Sequence, residues 1–315
     1  IFYFFSNIVS LFDSHYDKID SMEMGSTWTS DRRSARVQGK ICMVTGANKG
    51  MGKVIAGELA KLQATVVIVS RDPVKGQAAL EEIRASSRNP SVELLTADLS
   101  SQREIRELAD RFQRKYPHLH VLVNNAGAQF QQRKLSVDGI EMNWAVNHMA
   151  PFLLTKLLMD RLNAGGRARI VNVASNAMTR SLDLGNLQGE KNYRTLKAYG
   201  QSKLALVLHT YALARRLQGS GVTVNALHPG VVATDIIDDA APRFTRPLLG
   251  IAKRFFLTPE QGASTALYLA VSPEVEGVSG KYFVNRKERP SVPVSYDEQL
   301  QDRIWRISEG LLREV

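Results

Sequence analysis

The chain has 315 residues, 44% hydrophobic and 23% charged, a balance that fits a folded globular protein and excludes a disordered or fibrous one. Its net charge of +10 is spread over the whole length, with no Lys/Arg block and no interleaved aromatics. This argues against nucleic acid as a partner and leaves a solvated basic surface, an anionic cofactor or an anionic membrane surface. The single cysteine, Cys42, rules out an intramolecular disulfide and fits a reducing compartment, while the isolated His118 and His120 lack the company a metal site needs.

In chain order, residues 1–36 stand apart. "IFYFFSNIVSLF" is too short to span a bilayer as a helix and lacks the features of a secretory signal, and the residues after it are polar. The expectation is a flexible leader or a truncated anchor. From Val37 onward strands and helices alternate: "ICMVTG" as strand, "KVIAGELAKL" as helix, "TVVIVS" as strand, "GQAALEEIRAS" as helix. Then follow strand "VELLTADLS", helix "REIRELADRFQRKY", strand "HVLVNNAG", helix "FLLTKLLMDRL", strand "ARIVNVAS" and the long helix "AYGQSKLALVLHTYALARRL". Strand "VTVNALHPG", helix "PEQGASTALYLAV" and a short strand "GKYFV" complete the body. Strands that are apolar throughout, separated by helices, predict a doubly wound parallel α/β sheet covered on both faces, in one domain spanning residues 37–315. At the end, Leu300, Ile304, Ile307 and Leu311 fall on one face of an appended C-terminal helix.

Chemistry is first visible in "VTGANKGMGKVIAGELA". Gly46, Gly50 and Gly52 occupy the turn between the first strand and the first helix, with Asn48, Lys49 and Met51 between them. Glycines there let backbone approach a pyrophosphate, and the helix N-terminus offers unpaired N–H groups to it. At the end of the second strand, where an NAD(H) site carries an acid for the ribose hydroxyls, the chain has Ser70 and Arg71. Arg71 suits a 2′-phosphate, so NADP(H) is expected in preference to NAD(H), although Asp72 lies close by.

"YRTLKAYGQSK" contains two tyrosines that each precede a lysine by four residues, Tyr193–Lys197 and Tyr199–Lys203. The second pair opens a sustained helical pattern, which puts both side chains on one face, whereas the first lies in a polar stretch before it. Tyr199 is therefore the expected acid/base and Tyr193 the decoy.

The ordered set "TGANKGMG", "ADLS", "NNAG", "MNWAVNH", "NVAS", "YGQSK" and "HPGVVATD" resembles the short-chain dehydrogenase/reductase superfamily. Within it, "LDLGNLQGEKNY", "SGKYF" and "RIWRISEGLL" look like the retinol-dehydrogenase-like group. The resemblance covers about residues 37–312. It implies a catalytic set of Asn147, Ser175, Tyr199 and Lys203. Asp98 and Leu99 would line the adenine pocket, Asn125, Ala126 and Gly127 would run along the cofactor, and Pro229, Gly230, Val232 and Thr234 would lie near the nicotinamide. The helices around residues 143–162 and 198–217 would be available for pairing into a homodimer.

These residue types suit hydride transfer. A carbonyl that accepts hydride needs a proton donor, and tyrosine's unperturbed pKa of about 10 is high for that work near neutrality. A cation at about 5 Å and an effective dielectric of ~20 is worth roughly 3 kcal/mol, so Lys203 is expected to lower Tyr199. Ser175 would bind the substrate oxygen. Pro151 has no N–H, which in a helix would leave the Asn147 carbonyl free to hold a water, and the resemblance implies that such a water links the lysine to solvent in a proton relay. Residues 235–259, rich in Ile, Leu and Phe with Arg243, Arg246, Lys253 and Arg254 among them, stand where the superfamily places a substrate lid. Their composition points to an apolar substrate, of retinoid, steroid or lipid aldehyde type, and to peripheral membrane contact. The location expected is the cytoplasm or the cytosolic face of a membrane. The competing readings are a nucleotide-binding regulatory protein with little turnover and a membrane-associated scaffold.

Overall fold

A computed structural model of the protein describes residues 37–230 and 257–312. The expected leader, nearly all of the expected lid, and Val232 and Thr234 lie outside the described residues.

Seven parallel strands and one antiparallel strand form a single sheet in the order β3-β2-β1-β4-β5-β6-β7-β8. They are β1 Ile41–Thr45, β2 Thr65–Ser70, β3 Val92–Thr96, β4 Val121–Asn124, β5 Arg169–Val173, β6 Thr223–His228, β7 Tyr282–Val284 and β8 Lys287–Glu288. The order reverses between β1 and β4, which opens a crevice at the carboxyl ends of those strands. The expected doubly wound fold is what forms. β2 shows why its sequence reads as a continuous apolar run: Val66 and Ile68 enter the core on one face, Val67 and Val69 the core on the other.

Helices α1 (Gly50–Lys61), α2 (Pro73–Ser87) and α3 (Gln102–Lys115) follow the first three strands. α2 is capped by Asp72, which accepts from the N–H groups of Val74 and Lys75 at 3.0 and 3.1 Å, with Pro73 pre-set at the first helical position. α3 starts on the Ser101 cap. α7 (Thr195–Arg216) and α8 (Pro259–Val271) complete the body. α7 is buried without interruption from Gly200 to Leu213, because core lies on both of its sides.

The sequence pattern missed two features. The helix read from Phe152 begins ten residues earlier and is interrupted. A one-turn helix α4 (Met142–Trp144) leads into a π-turn (Ala145–Met149), then α5 (Ala150–Leu157) and α6 (Met159–Ala164). Glu141 starts it by accepting from the N–H groups of Asn143 and Trp144, both at 3.0 Å. Strand β8 was not foreseen because it spans two exposed residues, joined to β7 by Asn285 and Arg286 at φ 50° and 61°. That left-handed pair is the geometry of a tight hairpin turn, carried here by an Asn-Arg sequence rather than the stronger Asn-Gly signal.

The appended helix α9 (Glu298–Gly310) lies along α7. Its deepest residues are Gln301, Ile304 and Ser308, while Leu300, Ile307 and Leu311 are only partly buried. The buried face is thus rotated from the expected one, since two polar residues find partners inside. Gln301 donates to the Ser295 carbonyl at 2.8 Å, and Ser308 pairs with His148 at 2.7 Å. Arg216 covers the Trp305 ring at 4.1 Å and reaches Asp302 at 3.0 Å.

Candidate active site

Every described candidate residue lies at or just beyond the carboxyl end of a strand, or on a helix facing that edge. After β1, Gly46 and Gly50 take φ values of +66° and +55°, which L side chains rarely adopt. Gly52 is required for a different reason. A Cβ there would stand 2.4 Å from the Gly46 carbonyl oxygen and 2.5 Å from Asn125 Nδ2, so α1 can approach the turn only with a bare backbone.

The turn suits an anion. α1 begins at Lys49 with no side-chain cap and no acidic residue in its first turn, whereas α2, α3, α8 and α9 all begin on Asp, Ser or Thr caps. α7 also starts without a side-chain cap, at Arg194, but α1 starts directly after a strand on a glycine turn, where its first N–H groups can face an anion. Asn48 and Met51, partly buried, and the exposed Lys49 lie along this turn. Ser70 is buried and donates to the Asp72 carbonyl at 2.8 Å. Arg71 is exposed beside it. Asp72 is turned to its capping role, with Lys75 3.5 Å away, and this accounts for an acid standing near an otherwise basic corner. After β3, the Asp98 carboxylate accepts from the Ser100 N–H and hydroxyl at 2.9 and 2.8 Å, next to the partly buried Leu99.

The loop after β4 joins the two halves. Asn125 donates from Nδ2 to the Thr45 carbonyl at 2.9 Å, and the N–H groups of Asn125 and Ala126 both donate to Thr45 Oγ1 at 3.0 Å. Asn125 Oδ1 is a buried acceptor with no protein partner among the described residues. Thr45 was not singled out in the sequence. Its signal is only a hydroxyl residue closing an apolar strand just before the glycine turn. At the far side Pro229 and Gly230 follow β6, Gly230 at φ +84°.

Lys203 and Asn147 meet at Gly127, and Tyr199 stands beside Lys203 with a hydrogen bond to Ser175. A Cβ on Gly127 would lie 3.2 Å from Lys203 Nζ and 3.4 Å from Asn147 Oδ1. Asn147, buried in the π-turn, holds Ala128 at both ends, accepting from its N–H and donating to its carbonyl at 2.8 Å each. Its amide also donates to Ser202 Oγ at 3.0 Å, and Ser202 donates to the Tyr199 carbonyl at 2.7 Å. Ser202 was overlooked, though it sits within "YGQSK". Pro151, on the first turn of α5, offers no N–H to Asn147 four residues back or to Val146 five back. Tyr282 on β7, a third omission after Thr45 and Ser202, donates to the Ser175 carbonyl at 3.1 Å.

Electrostatics differ from expectation in one respect. Lys203 lies 5.9 Å from the Tyr199 ring centre and donates to the Val173 carbonyl at 2.8 Å. Its own burial lowers its pKa to about 8. The Tyr199 hydroxyl sits above the ordinary tyrosine value, not below it, because burial outweighs the opposing hydrogen bond with Ser175. The other tyrosine–lysine pair has different business. Tyr193 donates to the Phe130 carbonyl at 2.7 Å, and Lys197 pairs with Asp183 at 2.8 Å.

Among the described residues no helix is long and apolar enough to cross a membrane. The family described as short chain dehydrogenase matches residues 40–243. The chain is 40% identical over 280 residues to retinol dehydrogenase 12 of Mus musculus, covering 89% of this chain and 88% of that protein. It is 41% identical over 284 residues to retinol dehydrogenase 13 of Homo sapiens, covering 88% and 86%. It is also 40% identical over 275 residues to polyprenol dehydrogenase of Homo sapiens, covering 84% and 83%. Among solved structures, an uncharacterized protein from Mycobacterium Paratuberculosis superposes with a TM-score of 0.71 at 30% identity, covering 91% of this chain and 97% of that one. The Pseudomonas aeruginosa RhlG/NADP active-site complex does so with a TM-score of 0.62 at 26% identity, covering 78% and 94%.

Proposed function

The chain belongs to the short-chain dehydrogenase family and is retinol dehydrogenase-like within it, and from that premise we propose that it is an NADP(H)-dependent oxidoreductase acting on an apolar carbonyl or alcohol, with Tyr199 as acid and base. The observation that carries this reading is the convergence of Lys203 Nζ and Asn147 Oδ1 on Gly127, with Tyr199 hydrogen-bonded to Ser175 at the same strand edge.

A nicotinamide cofactor held along this edge by the glycine turn and Asn125 would supply or accept the hydride. The chain's own groups handle the proton. Tyr199 gives its hydroxyl proton to the oxygen of a reduced carbonyl and takes one back in alcohol oxidation. Ser175 steadies that oxygen by hydrogen bonding as charge develops on it. Lys203, with its pKa near 8, exchanges protons readily around neutrality and is placed to resupply the site. The Asn147 side chain fixes the Ala128 backbone, and its backbone carbonyl, which Pro151 cannot serve with an N–H, would hold the water of the relay.

Preference for NADP(H) rests on Arg71 at the end of β2 and on the diversion of Asp72 to a helix cap, while the start of α1 serves the pyrophosphate that both cofactors carry. An apolar substrate of retinoid, steroid or lipid aldehyde type is supported by relatives named for retinol and polyprenol. Peripheral contact with a membrane from its cytosolic side agrees with the net charge of +10. Pairing through α7 is not part of this proposal, since one chain already buries that helix from Gly200 to Leu213 and packs α9 along it.

Tyr199→Phe is the test. Turnover falls by at least about a thousandfold while NADP(H) affinity stays within about twofold. Retained turnover would remove Tyr199 from the chemistry. Wild-type binding of NADP(H) without turnover on any apolar carbonyl would favour a regulatory nucleotide-binding protein.

A further inference from the structure

Asn143 is fully buried, although an amide is costly to bury unless hydrogen bonds replace its water. We propose that Asn143 is a positioning residue: its amide, aligned by Glu141 and Tyr193, holds the end of loop 125–130 and thereby fixes Gly127 against Lys203 for hydride transfer. The proposal rests on the oxidoreductase reading above for its cofactor.

The loop is anchored at both ends. At its start, the N–H groups of Asn125 and Ala126 donate to Thr45 Oγ1, each at 3.0 Å. Towards its end, two residues are gripped by both of their backbone polar groups. Ala128 is held in this way by Asn147, at 2.8 Å twice. Phe130 donates its N–H to Asn143 Oδ1 at 3.3 Å, and its carbonyl accepts from the Tyr193 hydroxyl at 2.7 Å. Asn143 and Asn147 are four residues apart, a spacing that brings them to one side of the helix and so to residues two apart in the loop. Gly127 lies between the anchors, so close to Lys203 Nζ that a Cβ would stand 3.2 Å from it. Any drift of the loop alters that contact.

A buried charge aligns Asn143. Glu141 is 1% exposed and caps α4 through the N–H groups of Asn143 and Trp144, both at 3.0 Å. Those two backbone bonds meet the needs of a cap. Glu141 Oε1 also accepts from Asn143 Nδ2 at 2.7 Å, a charge-assisted bond. An amide turned the other way would set its oxygen against the carboxylate. Nδ2 therefore faces Glu141, and Oδ1 is left facing the Phe130 N–H. Tyr193 enforces the same choice, since its hydroxyl donates to Phe130 and must accept from Asn143 Nδ2, at 2.9 Å. Burial and the Glu141 charge 3.4 Å away push this phenol up to about 12, so it remains a donor through the neutral range.

The arrangement separates the two halves of the cofactor site. Arg71 and Asp98, assigned above to the adenosine end, follow β2 and β3, across β1 from the loop that follows β4. Loosening the loop at Phe130 disturbs the catalytic end and leaves the adenosine end as it was.

The experiment compares the full chain with its Asn143→Ala and Tyr193→Phe variants. NADPH and adenosine 2′,5′-bisphosphate, which lacks the nicotinamide, are titrated by calorimetry, and kcat is measured with NADPH on apolar aldehydes. Asn143→Ala is expected to lower kcat about tenfold and to weaken NADPH about fivefold, while the bisphosphate stays within about twofold. Tyr193→Phe keeps the ring and its packing, and should show the same pattern with kcat down about threefold. If Asn143→Ala does not fold, the Tyr193 variant decides alone. Unchanged kcat in the folded variants, or equal losses of affinity for NADPH and the bisphosphate, would reduce Asn143 to a structural role and overturn the proposal. Wild type that binds NADPH without turnover would count against the oxidoreductase reading alone, and the ratio of the two affinities would still decide the role of Asn143. Wild type that binds neither ligand would overturn both.

Discussion

Lys203→Met isolates the cost of placing a cation at the catalytic edge. Lys203 is 3% exposed, and burial lowers its pKa from 10.5 to about 8, which amounts to about 3 kcal/mol of lost stability at neutral pH. Removing the charge recovers that amount, less about 1 kcal/mol for the hydrogen bond given up by the Val173 carbonyl. The cofactor-free variant should therefore be about 2 kcal/mol more stable than wild type at about pH 7. The pH dependence has a definite sign. Between about pH 8 and 10.5 the folded wild type has released this proton while the unfolded chain still holds it, so wild-type stability gains with rising pH and the variant's advantage shrinks. Urea unfolding of both proteins at several pH values across this window reads the difference directly, and the variant should lose turnover throughout. A Met variant less stable than wild type at neutral pH, or a difference that does not change with pH, would refute the claim that this lysine is held against its solvation preference for the sake of chemistry.

Three further outcomes are expected. Arg71→Ala should weaken NADPH binding about ten- to a hundredfold and leave NADH nearly unchanged, measured by nicotinamide fluorescence; equal losses would mean that Arg71 does not read the 2′-phosphate. Tyr282→Phe removes the donor to the Ser175 carbonyl and should lower kcat by about fivefold, with NADPH affinity retained. An unchanged kcat would show that the Ser175 backbone needs no such support. Pro151→Ala restores an N–H to the helix and should lower kcat and shift the alkaline limb of its pH profile, and an unaltered profile would dispose of the relay at Asn147.

Much of the molecule was legible because its signals are local. β2 reads as a buried strand because both its faces are covered, and Tyr199–Lys203 reads as a pair because four residues make one helical turn. Other parts depend on distant partners that no local pattern encodes. Asp72 looks like a ribose ligand until Val74 and Lys75 claim it, and the buried stripe of α9 turns because His148 and Ser295 wait for Ser308 and Gln301. Thr45 joins the glycine turn to Asn125 across 80 residues of chain, and Tyr282 reaches Ser175 across 107. The pKa of Tyr199 was misjudged for a related reason. Coulomb attraction follows from spacing in sequence, whereas desolvation depends on everything packed around the ring.

The most direct measurement is nicotinamide absorbance with NADPH or NADH against a small panel of apolar aldehydes and ketones that includes retinal. The account predicts carbonyl-dependent oxidation of NADPH, faster than that of NADH, which disappears in Tyr199→Phe. Failure of the wild-type protein to bind either nucleotide would contradict it at its foundation, the uncapped glycine turn at the start of α1.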